Sequence, residues 1–238
     1  MRNIGLRRGM AMALLLLGAG SAAMGQAPAA GTNAAAPTGP QKEKTMIKEH
    51  RSGEWTPGLT DEEKTTLFAI AEDTLQWCVG GSRGAFSFAK YAISERLRKN
   101  TATFVTLKIR GELRGCIGSL SPVQPLYESV HDNAVNAAQR DFRFSPVTAA
   151  ELKRIEVDVS ILSPITDIKS LDEFRLGEHG IIIEKGMHRA VYLPEVAVEQ
   201  KWSKEQTLAS LSEKAGMRQD AWREGARFKI FSSAVLSK

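Results

Sequence analysis

The chain of 238 residues is 42% apolar and 25% charged, an ordinary globular composition long enough to bury one substantial core in one domain. Three of its 32 Lys and Arg residues fall in the first eight positions, so beyond residue 25 there are 29 bases against 27 acids, and the net charge drops from +5 to +2. That balance argues against a nucleic-acid binder with a concentrated basic stripe. Two cysteines without CxxC or Cys/His spacing exclude a disulfide framework and give no zinc signature.

Met1 to Gly25 carries arginines, then the apolar run GMAMALLLLGAG, then SAAMG. This is the layout of a secretory signal peptide, with an apolar stretch too short for a comfortable membrane span. Cleavage after Gly25, or after Ala23, would leave a periplasmic or secreted chain that meets the membrane only through its signal peptide. The Arg7–Arg8 pair points to a twin-arginine route without fitting it well, and an uncleaved amphiphilic anchor is the alternative. Residues 26–57, rich in Ala, Pro, Gly, Thr and Lys, read as a flexible linker, and residues 58–238 as the folded domain.

Within the domain, Thr60 and Glu63 form a capping box, after which Leu67, Ile70, Ala71, Leu75 and Cys78 recur at helical spacing, placing Cys78 in the core. GGSRGAFSF (80–88) lacks the Walker spacing of a phosphate cradle and reads as a loop. Residues 102–109 alternate as a strand, and Gly111 marks a hairpin turn into LRGCIGSL (113–120).

In an extended LRGCIGSL, Arg114, Cys116 and Gly118 share one face and Leu113, Gly115 and Ile117 the other. Arg114 and Cys116 would then be neighbours with Cβ atoms roughly 7 Å apart, and a cation beside a thiol favours the thiolate. Gly115 and Gly118 need a bulge, or the close approach of a backbone or ligand. A three-residue loop sets Leu107 opposite Gly115 and sends Cys116 to the polar face with Thr106 and Lys108. A two-residue loop would turn Cys116 to the apolar face instead. The hydrophobic pattern favours the first.

Pro125 opens a helix ending near Gln139, and DFRFSPV follows. Asp141 and Arg143 there either clamp each other or project toward Cys116. Thr148 with Glu151 caps a turn, residues 155–161 alternate as a strand, and Ser170 with Glu173 caps a short helix. His179, bracketed by Gly177 and Gly180, can reach outward as a base but is more often simply solvated in such a turn. A strand from Ile181 to Glu184 returns as far as Leu193. Ser203 with Gln206 opens a last helix closed at Gly216, and Arg227 to Val235 reads as one closing strand. Helices interleaved with hairpins predict a single α+β domain with a largely antiparallel sheet flanked by helices.

LRGCIGSL, together with TFVTLKIRGE, AVNAAQRDFRFSPV, IEVDVSILSP, GEHGIII, VYLPEVAVEQKW and LSEKAGM, closely resembles the AMMECR family, also called AmmeMemoRadiSam system protein A, collinearly from about Leu59 to Ser233. The resemblance implies an α+β fold and a genomic association with Memo-type and radical-SAM proteins, and it marks the RF of DFRFSPV as a second site element beside RGCIG. It supplies no reaction. Two functions are open. One is an enzyme or enzyme subunit with Cys116 as nucleophile or redox thiol, Arg114 and Arg143 holding a small anionic substrate, Gly115 and Gly118 admitting it, and Asp141 or His179 moving protons. The other is a non-catalytic module binding a small anionic ligand or a protein partner. No cofactor is implied, and the domain is expected to fold without metal.

Overall fold

The computed structural model describes residues 46–81 and 84–238. The signal-peptide reading of residues 1–25 and residues 26–45 of the linker lie outside the described residues, as do Ser82 and Arg83. The folded body starts inside the tract read as linker. Lys48–Arg51 form strand β1, antiparallel to the chain's last strand, with Lys48 opposite Ser237 and Arg51 opposite Ala234. KEHR has no apolar alternation, so only its partner from the other end of the chain makes it a strand.

The capping boxes at Thr60, Ser170 and Ser203 hold, whereas the Thr148 hydroxyl donates to the Glu151 carboxylate instead of accepting from Glu151 N. Thr60 Oγ1 accepts from Glu63 N at 3.2 Å while the Glu63 carboxylate accepts from Thr60 N at 2.9 Å, starting helix α1 (Asp61–Val79). Its buried stripe includes Leu67, Ile70, Ala71 and Leu75, with Cys78 half-buried on the same side.

Two antiparallel sheets stand where one was expected. The first has the order β1-β9-β4-β2-β3, built from β2 (Thr103–Ile109), β3 (Glu112–Gly118), β4 (Ile155–Leu162) and β9 (Ser233–Ser237). α1 and α2 (Leu126–Gln139) cover one face of it, packing against Val105, Leu107, Val159 and Ile161. The second has the order β5-β8-β6-β7, from β5 (Thr166–Ile168), β6 (Gly180–Lys185), β7 (His188–Tyr192) and β8 (Arg227–Phe231). Helix α4 (Lys204–Lys214) contributes Leu208 and Leu211 to a core with Ile181, Ile183 and Phe228. A small third core, with Ala102, Leu162, Ile182 and Phe231 at its centre, joins the two sheets.

The closing segment is therefore not one strand. It breaks at Ser232 and its halves belong to different sheets, because the chain recrosses there beside the β4–β5 connection: Ser163 N donates to Ser232 O and Ser232 N to Ser163 Oγ, both at 2.9 Å. A short helix α3 (Pro194–Glu199), with Pro at its first position, was also not anticipated. At the end of α4, Gly216 takes φ 75°, and Gly216 N and Met217 N donate to Glu213 O and Ser212 O at 2.8 and 2.9 Å, closing the helix as a Schellman pair. In the loop 84–88, Phe86 stacks on His131 at 4.4 Å and meets Trp77 edge-on at 5.9 Å, so the described part of the glycine-rich stretch serves packing.

Candidate functional site

The hairpin combines both registers considered from sequence. Arg110 and Gly111 both take left-handed φ (56° and 77°), a two-residue turn that pairs Ile109 with Glu112. Beyond it Leu107 faces Gly115, Thr106 faces Cys116 and Val105 faces Ile117, the pairing of the longer loop. A register shift reconciles them, with Arg114 as the extra residue between Leu113 and Gly115.

That bulge re-aims Arg114. Its guanidinium grips Glu151, Nε to Oε1 at 2.8 Å and Nη2 to Oε2 at 3.2 Å, and reaches Pro146 O at 3.3 Å. Glu151 also accepts from Thr148 N and Oγ1, both at 2.8 Å, and Arg114 foremost holds its carboxyl down at about 2. Arg114 thus ties β3 to the Thr148 turn, and its charge is committed there rather than to Cys116.

β3 is an edge strand, and its open side at Cys116 is covered by the loop after α2. Cys116 N donates to Asp141 Oδ2 at 2.8 Å, and Arg143 Nη2 donates to Cys116 O at 3.1 Å. Arg143 also forks onto Asp141, Nε to Oδ1 at 2.9 Å and Nη2 to Oδ2 at 2.7 Å. The Asp141 side chain is 1% exposed, that of Arg143 44%. The Arg143 guanidinium holds Asp141 at about 2, which suits a clamp blocking a strand edge and not a proton carrier.

Both site glycines answer to protein atoms. A Cβ on Gly115 would lie 2.3 Å from Ala137 O of α2, and one on Gly118 2.2 Å from Cγ of Phe104. His179 stands apart, before β6 in the second sheet. Its Nδ1 accepts from Arg175 N at 3.2 Å, burial lowers its pKa, and it does not bear on Cys116.

Cys116 is half-buried, and Thr106 Oγ1 donates to its Sγ at 3.3 Å. Burial pushes its thiol up. Thr106 and Arg143 offset part of that rise, while the negative charges of Glu195 and Asp141 add to it. The group rests as a thiol, where the sequence led us to expect a thiolate stabilised by Arg114.

Two residues not singled out from sequence complete the surroundings. Glu195, in the first turn of α3, makes no hydrogen bond or ion pair with another described side chain. Burial raises its pKa and the negative charges of Glu199 and Asp158 raise it further, against the pull of its own backbone N–H and of Lys108. Lys108 and Asp158 pair with each other at 2.7 Å. Lys214, in the last turn of α4, donates to Val191 O at 2.9 Å and lies 4.6 Å from the Tyr192 ring centroid. Burial and then Arg143 push its ammonium down, while Cys116 acts the other way. Both lie in blocks that carried the resemblance, VYLPEVAVEQKW and LSEKAGM, which was the one signal available. The site is thus made by the polar side of β2 and β3 and the loop after α2, with the charge of Glu195 acting on its thiol.

Of two open cavities, one of about 470 Å³ lies beside Asp167, Lys169 and Trp222, and one of about 370 Å³ at the hairpin tip is lined by Arg110, Arg114 and Arg154; Cys116 lines neither. Among the described residues, no group of three or more His, Cys, Asp or Glu could hold a metal ion, and no helix is long and apolar enough to cross a membrane.

The profile of the AMMECR1 family matches residues 68–236. A protein of Methanosarcina acetivorans is 37% identical over 186 residues, 76% of this chain and 94% of its own length. One from Methanocaldococcus jannaschii is 42% identical over 134 residues, 53% of this chain and 67% of its own. The crystal structure of an uncharacterised protein from Pyrococcus horikoshii superposes with a TM-score of 0.67 at 28% identity, covering 76% of this chain and 93% of that one.

Proposed function

Since the chain belongs to the AMMECR1 family, and these relatives' names state no activity, we propose from the site's own geometry that it is an enzyme in which Cys116 is the nucleophile and Glu195 its base, acting on a small anionic substrate. The observation that carries this reading is the partly buried carboxyl of Glu195, which pairs with no other described side chain, whose pKa burial raises, and which acts electrostatically on a thiol. An unpaired carboxyl costs stability, and perturbed groups of this kind gather where chemistry needs them. As the S–C bond forms to an electrophilic carbon of the substrate, the Sγ proton passes to the Glu195 carboxylate. The protonated acid then returns it to the departing group as the carbon–leaving-group bond breaks. The second reading, a binding module, draws support from the resting thiol and from the commitment of Arg114 and Asp141 to clamps.

Alkylation of Cys116 with iodoacetamide as a function of pH separates them. In the native protein the profile should carry the titration of Glu195 as an inflection below that of the thiol. Glu195→Gln should erase the inflection and leave the thiol titration by itself, displaced to lower pH by loss of the anion. Arg114→Ala should leave the rate unchanged. A Cys116 that stays inert until unfolding, or a profile indifferent to Glu195, would hand the function to the binding-module reading.

The same proposal includes export. An exported copy would meet periplasmic or extracellular ligands rather than a radical-SAM protein, whose oxygen-sensitive iron–sulfur cluster belongs in the cytosol, and it would share at most a Memo-type partner. Intact-mass measurement on protein from the native cell envelope should give a chain beginning at or near Gln26. Full-length protein confined to the cytosol would remove the export claim.

A further inference from the structure

We propose that the cavity of about 370 Å³ at the tip of the β2–β3 hairpin is a second binding site, apart from Cys116, which takes the phosphate of a small organic phosphate on Arg110, Arg114 and Arg154 and its apolar part on Ile109 and Leu113. The volume falls in the range of small-ligand sites. Three segments supply the guanidiniums: the hairpin turn gives Arg110, the bulge in β3 gives Arg114, and the one-turn segment Leu152–Arg154 that leads into β4 gives Arg154. The sheet brings the first and last together, because Ile109 is paired with Ile155 and their neighbours Arg110 and Arg154 stand at the same end of it.

Little protein charge balances these cations. Among the described residues only Arg114 is ion-paired, to Glu151 at 2.8 Å with Nη1 left open, while the side chains of Arg110 and Arg154 make no hydrogen bond or ion pair. Glu112 is the one acid in the lining. Glu156 is close by, but its carboxylate accepts from Arg110 N at 3.0 Å and not from a guanidinium. Arg110 is also a costly choice for its position, since it takes φ 56° in a two-residue turn where Asn or Asp would suit the left-handed backbone better. What arginine adds there is its guanidinium. A monocarboxylate can satisfy one such fork, whereas a phosphate monoester, with close to two charges and three terminal oxygens, can accept from several. Leu113, 44% exposed, gives the cavity an apolar side for the organic part.

The test is calorimetric titration of the full chain with phenyl phosphate and, separately, inorganic phosphate at constant ionic strength, with thermal unfolding followed in parallel. Phenyl phosphate should bind with unit stoichiometry and raise the unfolding midpoint, and inorganic phosphate should bind severalfold more weakly. Arg154→Gln should weaken phenyl phosphate tenfold or more, and Arg154→Lys should recover only part, because an ammonium lacks the fork. Arg110→Asn should also weaken binding severalfold, yet leave the unliganded protein unfolding at the same temperature or higher, because Asn suits the turn. An arginine serving only the turn would not separate binding from stability in this way. Cys116→Ser should bind phenyl phosphate as the wild type does, so the site stands apart from the proposed nucleophile. No binding of phenyl phosphate at millimolar concentration, affinity unchanged in both Arg154→Gln and Arg110→Asn, or loss of binding in Cys116→Ser would overturn the proposal.

Discussion

Replacing Arg143 with alanine is expected to cost about 3–5 kcal/mol of stability, the range for stripping the partner from a buried charge. Asp141, with its side chain 1% exposed, would keep a charge with only the Cys116 and Arg143 backbone N–H groups to satisfy it. The Cys116 carbonyl on the edge strand would also lose its donor. Arg143→Lys should recover only part, because an ammonium cannot reproduce the two-pronged fork. The sign of the pH dependence follows from the depressed carboxyl. In the native protein Asp141 titrates at about 2, so its contribution is fully present above the ordinary value near 3.8 and is lost as pH falls toward 2. Arg143→Ala lacks that contribution, so the gap between the two proteins in urea unfolding should be widest near neutrality and close on acidification. A loss under about 1 kcal/mol at pH 7 would mean that the clamp is a surface pair of ordinary worth.

Gly115→Ala should be similarly damaging, about 3 kcal/mol or more, at the upper end of overpacking costs. The added Cβ would stand 2.3 Å from a backbone carbonyl oxygen of α2, which cannot swing aside as a side chain can. Gly111→Ala is the control. At φ 77° it is strained, but a Cβ there meets nothing within 4 Å, so its cost should stay near the ~1–2 kcal/mol of a left-handed residue. Equal losses at the two positions would show that conformation, and not the approach of α2, is what Gly115 serves.

These two positions also show how far residues alone could lead. That Gly115 needed a reason was legible from its place in a strand; that the reason is Ala137 was not, because the neighbour lies on another element. The Asp141–Arg143 clamp could be written down as one of two options, since residues two apart in a turn can meet, but its hold on the Cys116 backbone required knowing that β3 is an edge.

What the sequence by itself determined is local. Capping boxes at Thr60, Ser170 and Ser203, the end of α2 at Gln139, the alternation of β2 and β4, and the pairing of Thr106 with Cys116 all depend on side chains within a few residues or on one hydrophobic pattern. The tertiary structure alone decided the division into two sheets, the strand at Lys48–Arg51, and the break at Ser232, because each rests on hydrogen bonds between distant segments. It also decided which charges serve Cys116. One bulged residue turned Arg114 to Glu151, and the placement of α3 set the charge of Glu195 against the thiol, since side-chain direction and long-range electrostatics are properties of the folded chain and not of residue spacing.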